Sequence, residues 1–224
     1  MLGTVQWIFF DIGSTLVDET EADLRRIREM TAGTKVTVEA YCAKRLELIR
    51  QGFPGDRAAI AFFGLIKTPW HSEDETPYPD AAPILAELRR REFSLGVIAN
   101  QTPGLRQRLT DWGLLRFFDV IADSAELGIE KPNPEIFQWA LTRADCPAQN
   151  AVMLGDRLDN DVAPAKRLGM HTVRLLRGLG AYHEPQSADE QPEYTITELS
   201  ELLSLLGSTG ESPSNACQKP AVSL

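Results

Sequence analysis

Asp11 stands directly behind an apolar run, in the stretch Phe9-Phe10-Asp11-Ile12-Gly13-Ser14-Thr15-Leu16. If residues 5–10 form a buried strand, this carboxylate sits at the strand's carboxyl edge, where parallel α/β sheets gather their ligands. An Asp that merely starts a turn would look the same. Gly155-Asp156-Arg157-Leu158-Asp159-Asn160-Asp161 follows another apolar run, at 151–154. Three carboxylates in six residues exceed the needs of one helix cap, and clustered oxygen ligands suit a hard cation such as Mg²⁺. A solvated acidic turn is the simpler alternative. Lys131 precedes Pro132-Asn133-Pro134, stiff backbone from which an ammonium can be aimed at an anion; taken alone it is equally a surface lysine. Asn100-Gln101-Thr102 follows the run at 95–99, offering amides and a hydroxyl to a phosphate oxygen, or a cap to the next helix through Thr102.

These four stretches need a scaffold. Short β-rich runs at 5–10, 95–99, 120–122, 151–154 and 172–174 alternate with helical patterns at 79–91, 103–112, after Asn133 and at 161–168. Asn133 ahead of Pro134 and Glu135 reads as a helix start, and Gly169 as a helix stop. The alternation predicts an α/β fold, a Rossmann-like parallel sheet with helices on both faces. Between 17 and 77 the rhythm breaks. Helical patterns at 21–31, 37–50 and 57–63 make this interval a small helical cap, since a structureless loop of that length is improbable. The expected division is a core of 1–16 and 78–206, a cap of 17–77, and a Ser/Pro/Gly-rich tail at 207–224 expected to be disordered. That order carries Asp11, Asn100, Lys131 and the acidic cluster to the ends of four strands at one sheet edge.

Composition narrows the partners. Among 224 residues, 32 acidic side chains against 23 basic ones leave a net charge of −9. That excludes electrostatically driven binding of nucleic acid or of an anionic membrane. An anionic small substrate stays open, because a bound cation reverses the local field. The three cysteines, Cys42, Cys146 and Cys217, are far apart and show neither zinc spacing nor a disulfide framework. No basic segment precedes the first apolar run, and no run approaches the roughly 20 residues of a membrane span. A soluble cytoplasmic protein, monomer or homodimer, is the expectation.

Together the motifs resemble those of the haloacid dehalogenase-like hydrolase superfamily, mostly Mg²⁺-dependent phosphatases. The matching stretches are Asp11-Ile12-Gly13-Ser14-Thr15, Ile98-Ala99-Asn100, Lys131-Pro132, and Gly155-Asp156 through Asn160-Asp161, in the family's order. The insertion at 17–77 is similar to the family's helical cap of the first type. The resemblance implies that Asp11 is the nucleophile and forms an aspartyl-phosphate. It implies Mg²⁺ held by Asp11, the Gly13 carbonyl, Asp156 and Asp161. Lys131 would offset the charge of Asp11 and of the phosphoryl oxygens. Ser14, Thr15, Asn100, Gln101 and Lys131 would bind the phosphate of a small phosphorylated metabolite.

Two positions depart from that pattern. The family's phosphatases carry a second Asp, a proton-transfer group, two residues after the nucleophile; here that position is Gly13. Such a group is typically worth about 10²–10⁴-fold in rate. Ala99 replaces a Ser or Thr that binds a phosphate oxygen, and Asn100 or Gln101 is left to compensate. Asp18, Glu19 or a cap residue is left to move the proton. A silent phosphate-ligand binding protein is one alternative. Another is a hydrolase of a carbon–halogen or phosphonate bond, the latter with Lys35, Lys44 or Lys67 as a Schiff-base amine. In the remainder, Trp70 and His71 read as hinge packing, His171 as an edge residue, and Arg25–28 and Arg89–91 as solvated helix faces.

Overall fold

The computed structural model describes residue 2 and residues 5–206; the 207–224 tail and Cys217 lie outside the described residues. In chain order the elements are β1 (Trp7–Phe10), β2 (Val17–Asp18), α1 (Thr20–Thr31), α2 (Val38–Arg50) and α3 (Gly55–Phe63). Then come β3 (Thr76–Pro77), α4 (Ala81–Arg90), β4 (Ser94–Ala99), α5 (Leu105–Asp111), β5 (Val120–Asp123) and α6 (Ser124–Leu127). The chain closes with α7 (Pro134–Arg143), β6 (Ala151–Gly155), α8 (Ala163–Arg167), β7 (His171–Leu175), β8 (Tyr194–Ile196) and α9 (Leu202–Leu205).

Six strands form one sheet in the order β5-β4-β1-β6-β7-β8, and every pairing in it is parallel. Strand residues alternate between its two faces, as the period of two requires. Ile8, Phe10, Leu95, Val97, Val152 and Leu154 join a core with Leu85, Leu88, Leu105, Leu109 and Leu202 from α4, α5 and α9. Phe9, Ile98, Ala151 and Met153 join a second core with Ile136, Phe137 and Ala165 from α7 and α8. Both faces are therefore covered, which explains why the central strands read as continuous apolar runs rather than alternating ones. The strand order reverses between β1 and β6, and ligands bind at the carboxyl ends of such a switch point.

Helices α1–α3 leave and re-enter the core through β2 and β3, an antiparallel pair with Val17 opposite Pro77 and Asp18 opposite Thr76. They enclose a small core of their own, Ile27, Met30, Tyr41 and Ala59. Thr37 starts α2 by accepting a hydrogen bond from the Ala40 amide at 3.1 Å. Asn133 starts α7 by accepting one from Glu135. Strands β2, β3 and β8 are two or three residues long, too short for a sequence period to reveal.

The helix expected at 161–168 is present as α8, entered through a wide π-type turn over Leu158–Val162 that the sequence reading did not foresee. Pro164 occupies the first turn of α8 and sets that helix's start, because proline offers no amide to an earlier turn. The Arg25–28 stretch is not a uniformly solvated face. Arg26 is buried, with its guanidinium 2.6 Å from Asp56 and over the Trp70 ring.

Candidate active site

Asp11 extends the β1 register by one residue, its amide donating to the Leu154 carbonyl of β6 at 2.9 Å. The chain then turns tightly, with the amides of Thr15, Leu16 and Val17 all converging on the Ile12 carbonyl. Ser14 sits within this turn at φ 54°, a left-handed conformation that non-glycine residues seldom take and that recurs at functional sites. Asp156 follows β6, and the π-type turn presents Asp161 beside it. One carboxylate oxygen from each of Asp11, Asp156 and Asp161 lies within 4.8 Å of the others.

Lys131 comes from the loop between α6 and α7, 120 residues away from Asp11 in sequence. Its Nζ donates to Asp11 Oδ1 at 2.6 Å and to Asp161 Oδ1 at 2.5 Å. The loop is clasped by Asn100, whose amide donates to the Lys131 carbonyl at 2.8 Å and accepts from its N–H at 2.7 Å. Both ends of the Asn100 amide are thereby committed to the Lys131 backbone. Asp161 uses its other oxygen to accept the Arg157 amide at 3.0 Å.

Glycines let these groups close up. A side chain at Gly155 would overlap the Asp161 carboxylate, and one at Gly180 would overlap that of Asp156. Gly178 is at φ +57°, and a Cβ there would meet the Ser14 hydroxyl. The Gly178–Tyr182 turn therefore lies against the site from the core side. The sequence reading missed it, although two glycines spaced by one residue behind a strand are a usable signal for close backbone approach.

Electrostatics set the character of the cluster. Burial pushes the Asp11 carboxyl up to about 6, Lys131 opposing this and Asp161 adding to it. Burial, then Asp161 and Asp11, hold Asp156 well above the ordinary carboxylate range. Burial alone would lower Lys131, but the charges of Asp11 and Asp161 outweigh it and hold the ammonium above its usual value. Three buried carboxylates with one ammonium leave negative charge uncompensated, and an all-oxygen donor set of this kind fits a hard divalent cation.

The site opens into a cleft of about 880 Å³ between sheet edge and helical cap. Gly13, Ser14, Gln101 and Asn100 line it from the core side, and Arg26, Arg45, Asp56 and Trp70 from the cap. Gln101 also accepts from Arg108 at 2.8 Å. Thr15 is fully buried, its hydroxyl without a hydrogen-bond partner among the described residues, and is not on the cleft wall. Of the three lysines weighed for Schiff-base chemistry, Lys67 lines the cleft, while Lys44 is tied to Glu47 and stacked on Phe62. Trp70 faces the cleft as well as packing, its Nε1–H donating to Glu75 at 2.6 Å. His71 bridges Glu29 and Glu73 outside the site. His171 pairs with Glu193 at the sheet edge.

Residues 8–175 match the family model described as haloacid dehalogenase-like hydrolase. The chain belongs to this family. The haloacid dehalogenase-like chain is 41% identical over 134 residues to a glyceraldehyde 3-phosphate phosphatase of Methanopyrus kandleri. That match covers 58% of this chain and 56% of the relative, so the chain spans only about half of that protein's length. Identity to a ribulose-1,5-bisphosphate 5-phosphatase of Halopiger xanaduensis is 31% over 193 residues, covering 83% of this chain and 80% of the relative. Among solved structures, a HAD phosphatase from Thermococcus onnurineus superimposes with a TM-score of 0.64 at 24% identity, over 91% of this chain and 99% of that one. A dehalogenase with an intermediate complex gives 0.66 at 22% identity, over 92% and 99%. At these identities the structural likeness speaks to the fold.

Proposed function

We propose that this haloacid dehalogenase-like chain is a phosphomonoesterase for small phosphorylated metabolites, acting through an aspartyl-phosphate on Asp11. The observation that carries the reading is the convergence of Asp11, Asp156 and Asp161, with Lys131 paired to Asp11 and Asp161, on the wall of an open cleft. The relatives named as phosphatases support the substrate class.

In this reading the Asp11 carboxylate attacks phosphorus, the alcohol departs, and water then cleaves the acyl phosphate, dividing one displacement into two. Lys131 holds Asp11 and Asp161 in place and offsets charge on the phosphoryl oxygens. Asn100 fixes Lys131 through its backbone rather than meeting the phosphate itself. Ser14 and Gln101 are the core-side polar groups placed to meet the phosphoryl group; Thr15 supports the turn from below. Asp11, Asp156, Asp161 and the Gly13 carbonyl would hold Mg²⁺. Bound there, the cation supplies Lewis-acid neutralisation of the phosphoryl oxygens.

The test is hydrolysis of acetyl phosphate and p-nitrophenyl phosphate with and without Mg²⁺, beside the Asp11→Asn protein. Mg²⁺-dependent turnover lost in Asp11→Asn is the expected result. No turnover of either ester by folded, Mg²⁺-binding protein overturns the reading and leaves a silent phosphate-binding protein.

A further inference from the structure

An alkyl phosphate can be cleaved at a useful rate only if a proton reaches the departing alkoxide and another leaves the attacking water. Position 13 has no side chain to carry it. Three other acids on the cleft wall are held by cations: Asp23 by Arg45 at 2.6 Å, Asp56 by Arg26 at 2.6 Å and Asp159 by Arg157 at 2.6 Å; Asp156 belongs to the carboxylate cluster, and Glu130 lines the cleft next to Lys131. Asp18, at the end of β2 directly before Glu19, accepts both the amide and the hydroxyl of Thr20, at 2.9 and 2.6 Å. His183 also lines the cleft, its Nε2 without a hydrogen-bond partner among the described residues.

Glu19 differs from these in its place as well as its pairing. It lines the cleft and pairs with no cation among the described residues. The one hydrogen bond to its carboxylate comes from the Ser14 hydroxyl, at 3.3 Å. It reaches back from the junction of β2 and α1 to lie directly over Gly13. A Cβ at residue 13 would overlap its carboxylate carbon and both oxygens. A side chain at residue 13 would therefore displace the Glu19 carboxylate from the place it takes, and here the carboxylate comes from Glu19.

We propose that Glu19, reaching into the space that a side chain at position 13 would fill, is the proton-transfer residue of this site. In the first step the Asp11 oxygen–phosphorus bond forms, the ester oxygen–phosphorus bond breaks, and the Glu19 carboxyl gives its proton to the departing alkoxide. In the second, water attacks phosphorus, its proton passes to the Glu19 carboxylate, and the Asp11–phosphate bond breaks to release phosphate. Glu19 ends protonated and Asp11 ionised, as they began.

The proposal rests on the phosphomonoesterase reading, and leaving-group chemistry separates the two. The probes are glycerol 3-phosphate, which releases an alkoxide, and p-nitrophenyl phosphate, whose nitrophenolate departs without a proton. In Glu19→Gln, kcat/KM falls by about 10²–10⁴-fold for the alkyl ester and by less than about tenfold for the aryl ester. Gly13→Asp/Glu19→Ala, which moves the carboxylate across the same space, recovers alkyl-ester turnover over Glu19→Ala. Circular dichroism verifies that each variant is folded. An equal fall on both esters, or no fall on either, overturns the role of Glu19 and leaves the phosphatase standing. A wild-type protein that turns over neither ester overturns both.

Discussion

Removing the ammonium of Lys131 should cost this protein more than almost any other single truncation. Its side chain is 3% exposed, between Asp11 at 13% and Asp161 at 1%. Lys131→Met keeps the stem and deletes only the charge. Asp11, Asp156 and Asp161 then lie within 4.8 Å of one another with no ammonium between them. Breaking a buried ion pair by deleting one partner typically costs about 3–5 kcal/mol. For a chain of 150–250 residues each kcal/mol moves Tm by roughly 2–4 °C, so the expected drop is about 6–20 °C. Urea unfolding followed by circular dichroism in EDTA gives the free energy directly. Adding Mg²⁺ should recover part of the loss if the cation binds the same carboxylates. Lys131→Met/Asp161→Asn should be more stable than Lys131→Met alone, because it removes one of the stranded charges. A loss under about 1 kcal/mol in EDTA would refute the argument, since the three carboxylates would then need no cation to be buried together.

Asp156→Asn points the other way: with no ammonium of its own, Asp156 weakens the metal-free protein, so the variant should unfold about 1–2 kcal/mol later in EDTA while losing stabilisation by Mg²⁺; destabilisation in EDTA would contradict this. Asn100→Ala removes both hydrogen bonds that clasp the Lys131 loop and should cost about 1–3 kcal/mol by urea unfolding, with kcat lowered more than KM. Asp56→Ala strands Arg26 and the Tyr41 hydroxyl, which donates to Asp56 at 2.7 Å; hydrogen exchange should show α1–α3 opening at least about 1 kcal/mol more easily, with the sheet unaffected. Burial pushes the Cys146 thiol up to about 11, so at pH 8 iodoacetamide should label it about 10²-fold more slowly in folded protein than in urea, as peptide mass spectrometry would report.

The scaffold was legible because its central strands are covered on both faces, which turns β1, β4 and β6 into uninterrupted apolar runs ending in Asp11, Asn100 and the Gly155-Asp156 pair. The grouping of Asp11, Asp156 and Asp161 followed from that, since parallel strands put all their carboxyl ends at one edge. The work of Asn100 did not follow. An amide behind a strand looks equally suited to a phosphate and to a backbone, and its two hydrogen bonds to Lys131 depend on the approach of that distant loop. Arg26 was misread for a related reason: one turn of α1 carries Arg25, Arg26 and Arg28, and nothing local says that Asp56, 30 residues on, will face the middle one. The closeness of Glu19 to Gly13 was invisible as well, because it depends on how the junction of β2 and α1 folds back over the turn at 12–17.

The cleft's charge count gives the candidate site its internal logic. Eight acidic and six basic side chains line it, a formal charge of −2 on a wall that must receive a phosphate dianion. Arg26 and Arg45 of the cap do not relieve this, because they are already neutralised by Asp56 and Asp23, and Arg57 and Lys67 are already in the count. One divalent cation among Asp11, Asp156 and Asp161 brings the wall to zero, and a proton on Glu19 brings it to +1. The two additions that make the cleft hospitable to a dianion are thus the two that the chemistry requires, a metal at the phosphoryl group and a proton for the leaving oxygen. A fixed cation at position 13 or 19 would attract substrate as well, but it would hold no proton to give to an alkoxide and would repel the metal.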